Sequence, residues 1–300
     1  MILTNEIKEV LKRYNLTLDS IPKHLQIPGS PERSLFRTVI EDNNKELFLV
    51  EQISEENVEK KDIIAKTLHK IKLEQVNPYL KNADGKFITK NDDDFFMVSG
   101  FIKGTELERP DYIYDEERGK NLAQFLIAMN KENISLENKE VFDIKRYVEK
   151  FMQKLKDPKL KKELTPIYEF LKEDFFEQAI PVKVCHGDFH PINIIWDNKK
   201  IKSVIDWEFL GYNIENYDIA NMIGCVGFEN PKAFENGLIP AFIKTLEEDD
   251  FLSLNSWKYL KHTIIANRFG WLREWMHKKD HEMLELELKY MKILKEKFII

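Results

Sequence analysis

KVCHGDFHPINIIWDNKKIKSVIDWEFLG, residues 183–211, sets His186, Asp188, His190 and Asn193 within eight residues between two apolar runs, then places Asp206 behind a further apolar run. VKVC reads as a short strand entering a loop, and Gly187 and Pro191 make HGDFHP the loop itself. NIIW and KSVID read as two strands joined by a DNKK turn. Asp188 and Asn193, about five residues apart on one turn, can face a common point. Asp206 ends the strand expected to pair with NIIW, so it can reach that point from a neighbouring strand.

Outward from this stretch, the chain divides in character. SLFRTVI (34–40) and ELFLVEQI (46–53) are β-rich runs joined by DNNK, which predicts a hairpin. The turn-rich QIPGSPERS (26–34) precedes them. A charged helix is expected from about Ser54 to Leu73, with Val58, Ile63, Ile64, Leu68 and Ile71 near a 3.6-residue period. NADGKFITK gives a turn and strand, and DFFMVSGFI (94–102) another strand. The pattern changes between Gly100 and Gly104, and from about Tyr112 amphipathic helices dominate. The expectation is an α+β fold of two lobes: a small β-rich N-terminal lobe over residues 1–103, then a larger, mainly helical lobe over 104–300 that carries the β-patch of 183–211.

The 300 residues suffice for a sizeable core, with 43% hydrophobic and 33% charged side chains, which excludes bulk disorder. The net charge of −6 comes from 46 basic and 52 acidic residues interleaved along the chain, so nucleic acid and anionic membrane are not expected partners. Two cysteines offer no disulfide framework, and no stretch has the length of a signal-peptide core or a membrane span. A cytoplasmic protein, monomer or homodimer, is expected.

Magnesium takes oxygen ligands, one or two from protein and the rest from water and phosphate. Asn193 and Asp206 would supply them. Asp188, left free of metal, could accept the proton of an attacking hydroxyl, a division of labour that belongs to kinase-type phosphoryl transfer. At these residues the chain resembles the aminoglycoside phosphotransferase and choline kinase family, small-molecule relatives of the protein kinases. That family's catalytic loop, His-Gly-Asp, four residues, Asn, stands here as His186-Gly187-Asp188-FHPI-Asn193. Its metal-binding Asp in an Ile-Asp context matches Ile205-Asp206, and a further Asp at the next helix matches Asp218.

The resemblance implies a protein-kinase-like fold and transfer of the γ-phosphoryl group of ATP or GTP to a hydroxyl of a small acceptor. It implies Asp188 as base, Asn193 and Asp206 as magnesium ligands, and Ser99 to Ile102, Phe101 included, as the hinge whose backbone contacts adenine. QIPGSPERS would cover the phosphates. His186 is read as ordering the loop, Gly187 as permitting its sharp turn, and Asp218 as a helix cap or loop brace. Glu208 reads equally as a metal- or substrate-reaching group and as a solvated loop acid.

One position departs from the family's pattern. Aligning ELFLVEQI with the third strand puts Glu51 where a Lys normally grips the α- and β-phosphates. Three explanations stand: a different register, a substitute cation such as Arg37 on the preceding strand, or impaired phosphate binding. The last would make the chain a nucleotide-binding pseudokinase or scaffold. A third reading takes His186, Asp188 and His190 as alternating ligands on one side of an extended strand, the donor set of a metal-dependent hydrolase. For the acceptor, aromatic residues such as Trp271 and Trp275, one helical turn apart, could form a pocket wall or simply pack in the core.

Overall fold

In the computed structural model, residues 4–27 and 34–297 are described, and most of QIPGSPERS lies outside them. The chain forms two compact units: residues 1–106, 132–137 and 194–208 make the smaller, and residues 107–131, 138–193 and 209–300 the larger.

The smaller unit opens with α1 (Thr4–Arg13), β1 (Leu18–Ser20), β2 (Phe36–Asp42), β3 (Leu47–Ile53), α2 (Val58–Leu68), β4 (Ile88–Asn91) and β5 (Asp94–Gly100). The strands form an antiparallel sheet in the order β1-β2-β3-β5-β4. The predicted hairpin is β2–β3, with Arg37 opposite Glu51. Successive side chains of a strand point to opposite faces. Phe48 and Val50 of β3 and Phe96 and Val98 of β5 pack with Ile7, Val10 and Leu11 of α1. Ile53 and Met97, on the other face, pack with Ala65 of α2 and with Phe87. By this alternation Glu51 falls on the α2 face, among apolar neighbours.

The larger unit begins with α3 (Glu116–Lys131), α4 (Ile144–Lys154), α5 (Pro158–Asp174) and the short β6 (Val182–Cys185). The chain then contributes the hairpin β7 (Ile194–Asp197) and β8 (Lys200–Val204) to the smaller unit. Val204 N–H bonds the Gln75 carbonyl at 2.8 Å and Thr105 N–H bonds the Trp196 carbonyl at 2.8 Å, which docks the hairpin. Gly104 is required there, because a Cβ would lie 2.7 Å from the Trp196 carbonyl oxygen.

The chain re-enters the larger unit with β9 (Gly211–Ile214), which pairs antiparallel with β6. The helices α6 (Tyr217–Glu229), α7 (Leu238–Glu248), α8 (Leu254–Lys258), α9 (Leu260–Lys278) and α10 (His281–Lys297) complete it. There α3 packs on α7, and α9 lies against both α6 and α10. Burial of Phe242, Ile264, Ile265, Phe269 and Met291 drives this packing through apolar surface removed from water. Asp280 caps α10 by accepting from Met283 N–H at 3.1 Å. No described helix is long and apolar enough to cross a membrane.

Candidate active site

In the larger unit, β6 ends at Cys185 and the next residues turn rather than continue extended. Gly187 has φ +84°, and a Cβ there would stand 2.2 Å from the Phe209 carbonyl oxygen. The strand geometry behind the hydrolase reading is therefore absent. The His186 Nδ1 accepts from Asp188 N–H at 3.1 Å, which orders the loop. Asp218, at the start of α6, accepts from His186 N–H at 2.7 Å and Gly187 N–H at 2.8 Å. The predicted brace is thus a carboxylate under two consecutive amides.

Asp188 and Asn193 are brought together. The Asn193 amide nitrogen donates to the Asp188 carbonyl and to its carboxylate Oδ2, both at 2.9 Å. A turn at Pro191–Asn193, closed by Asn193 N–H to the His190 carbonyl at 3.0 Å, supplies the return. Asn221, one turn into α6, donates to Asp188 Oδ1 at 3.3 Å, and His190 Nε2 lies 3.5 Å from the same oxygen. Burial works to raise the Asp188 pKa. The His190 hydrogen bond, the charges of His190 and His186 and the Asn193 bond outweigh it, so the carboxyl sits below its ordinary value and is ionised at neutral pH. Asp218 goes the other way: burial, opposed by its two amide bonds and reinforced by Asp188, lifts it to about 7.

Asn221 has no local signature in the sequence. It belongs to a polar line along an otherwise apolar helix. Cys225 Sγ contacts Asn221 Oδ1 at 3.9 Å, and Arg268 of α9 reaches Cys225 at 3.8 Å. Arg268 also makes a two-pronged pair with Glu287 of α10, both bonds 2.6 Å and both side chains buried. Trp275 Nε1 donates to the same Glu287 at 3.3 Å, and Trp271 stacks on Trp275 at 5.6 Å. These tryptophans pack around the buried pair.

Asp206 lies in the smaller unit, two residues beyond β8, half-buried and with φ +70°. Trp207 anchors the turn by donating from Nε1 to the Val204 carbonyl at 3.0 Å. Glu208 is neither solvated nor idle. Its carboxylate pairs with Lys61 of α2, whose side chain is 1% exposed against 12% for Glu208, and Lys60 stands 3.8 Å from its other oxygen. Close by, Glu51 pairs with Arg37 Nε at 2.9 Å and accepts from the Tyr79 hydroxyl at 3.2 Å. Burial first, then the charges of Glu51 and Glu208, pushes the Tyr79 hydroxyl well above its ordinary pKa, so it remains a proton donor.

Of the residues expected to form the hinge, Ser99 is buried and sits opposite Leu49. Phe101 N–H donates to the Leu47 carbonyl at 2.8 Å, extending the sheet one residue past β5, and the Gly100 carbonyl accepts from Asn77 at 2.8 Å. Ile102 follows, half-buried. The donor chemistry fits magnesium. Asn193, whose amide nitrogen bonds Asp188, carries an amide oxygen and Asp206 a carboxylate, both hard ligands. Among the described residues no three or more His, Cys, Asp or Glu gather as a metal site of their own.

This loop matches a family model. Residues 55–254, more than half of the chain, match the phosphotransferase enzyme family APH. The chain belongs to that family. No curated relative matches the phosphotransferase in sequence, but solved structures share its fold. An amicoumacin kinase, hAmiN, in complex with AMP-PNP, Ca2+ and Ami, superposes with a TM-score of 0.70 at 13% identity, covering 98% of this chain and 96% of the other. A spectinomycin phosphotransferase, APH(9)-Ia, in complex with ADP and spectinomycin, gives 0.63 at 15% identity over 100% and 95%. The choline kinase LicA from Streptococcus pneumoniae gives 0.62 at 15% identity over 96% and 98%. The expected kinase-like fold, a β-rich unit and a mainly helical one, is the one observed.

Proposed function

We propose that this phosphotransferase moves the γ-phosphoryl group of ATP or GTP to a hydroxyl of a small metabolite. One observation carries the reading: Asp188, ionised and held by Asn193 and Asn221 in a braced loop. A carboxylate so fixed orients the acceptor hydroxyl and takes its proton as the new P–O bond forms, while positioning does most of the catalysis. Asn193 and Asp206 would hold magnesium, which would neutralise charge on the phosphates. Ser99, Phe101 and Ile102 line the base; since Phe101 N–H is already bonded to Leu47, it contributes through other backbone atoms. Arg37, as a phosphate ligand, would have to leave Glu51. Two free cysteines accord with a reducing compartment such as the cytoplasm.

The acceptors named for the structural relatives, amicoumacin, spectinomycin and choline, set the range to test. A coupled ADP- and GDP-release screen across alcohols, amino alcohols, sugars and aminoglycosides, with Asp188→Asn alongside, should find one acceptor class turned over by the wild type alone. Equal release by both proteins would remove Asp188 from the reaction. Mg-nucleotide binding with no turnover of any acceptor would favour the pseudokinase reading that Glu51 invites.

A further inference from the structure

The smaller unit buries two ion pairs on the α2 face of its sheet, Arg37–Glu51 and Lys61–Glu208. The strand carries an acid, Glu51, where the family's pattern has a lysine, and α2 supplies a buried cation, Lys61. An anion on β3 cannot hold phosphate, and this one is already neutralised by Arg37 and hydrogen-bonded by Tyr79. Lys61 is the more deeply buried cation, 1% exposed, and its counter-ion Glu208 stands two residues past Asp206.

We propose that Lys61, from α2, is the cation that meets the α- and β-phosphates of the nucleotide, with Glu208 as its tether. The inference rests on the nucleotide-dependent reading above. A lysine ammonium has three N–H donors, so one can stay on Glu208 while others turn to phosphate. Two features favour Lys61 over Arg37. Glu208 has a second cation 3.8 Å away in Lys60, so it stays compensated when Lys61 shares its charge. Glu51 is buried with Arg37 as its charged partner, and taking Arg37 away would leave a buried carboxylate unpaired, the costlier exchange.

The test is direct binding of ADP and adenosine, measured by calorimetry in EDTA so that metal ligands do not enter. The readout is the ratio of the two affinities, which a structural role of Lys61 would not change. Lys61→Met should lower the ADP preference about tenfold or more and leave adenosine within about twofold. Lys61→Arg should restore most of it. Glu208→Gln, which frees the ammonium of its tether, should raise the ADP preference several-fold, a change of opposite sign that does not depend on Lys61→Met folding. An unchanged ratio in Lys61→Met, or an unchanged or lowered one in Glu208→Gln, overturns the proposal. Collapse of the ratio in Arg37→Met alone would assign the role to Arg37. Failure of the wild type to bind either ligand would instead sink the nucleotide-dependent reading itself, and the proposal with it.

Discussion

The Asp188 loop of the larger unit and the ion-pair cluster of the smaller one both keep carboxylates in nearly dry surroundings, by different means. In the loop, Asp188 and Asp218 are held by short, stiff donors: backbone amides and two asparagine side chains. In the cluster, Glu51 and Glu208 are held by long cations from other elements, Arg37 and Lys61. Amides fix a geometry and cannot be exchanged without unfolding the turn. A cation on a flexible stem can be shared with an incoming anion. Under the proposed roles the difference would match the tasks: a group meeting the acceptor must be fixed, and one meeting a multiply charged nucleotide must give way.

The rigidity of the loop should depend on what lies behind it. Glu287→Ala would leave Arg268 charged and buried without its partner, a loss of about 3–5 kcal/mol, read as a lowered urea midpoint. Because Arg268 connects through Cys225 and Asn221 to Asp188, turnover should fall as well. A stable Glu287→Ala variant would show that the loop stands without this support.

Asp218 gives the next effect, in its pH dependence. With its pKa lifted to about 7 by burial against about 4 in an unfolded chain, the native state holds a proton that the unfolded state has lost. Stability should therefore fall as pH rises from about 4 to about 7 and level off above, by up to about 4 kcal/mol. Asp218→Asn, which cannot ionise, should lack the fall in urea midpoints over that window. A wild-type-to-variant difference that stays constant with pH would mean the brace is an anion throughout.

Gly187→Ala should be smaller but still clear, about 1–3 kcal/mol, because the position has φ +84° and no room for a Cβ. Its turnover should drop further than its stability. Equal losses would make Gly187 a folding residue only.

How much of this was legible in the sequence follows the same division. Asp188, Asn193 and their brace lie in or next to one contiguous stretch, where loop chemistry is local and readable. The β2–β3 hairpin and the place of Glu51 on it were legible too, since strand alternation survives in the sequence. Lys61 was not. It sits in VEKKDII, beside an exposed Lys60, and charged helix residues ordinarily face solvent. What sets it apart is a partner 147 residues away. Glu208 stood out beside Asp206, but its pairing with Lys61 was hidden for the same reason, and Asn221 because a single amide in an apolar helix has no local signature, although Asp218, Asn221 and Cys225 share a helical face. The helix expected over 54–73 is helical from Val58 to Leu68, trimmed at both ends, where periodicity is least informative.

The most direct measurement is the magnesium dependence of ATP affinity in wild type, Asp188→Asn and Asp206→Ala. Magnesium should tighten ATP binding in the wild type and in Asp188→Asn to within about threefold of each other, while Asp206→Ala loses most of that gain and Asp188→Asn alone keeps tight binding without turnover. Magnesium-enhanced binding that survives in Asp206→Ala, or turnover that survives in Asp188→Asn, would contradict the roles given to these two carboxylates.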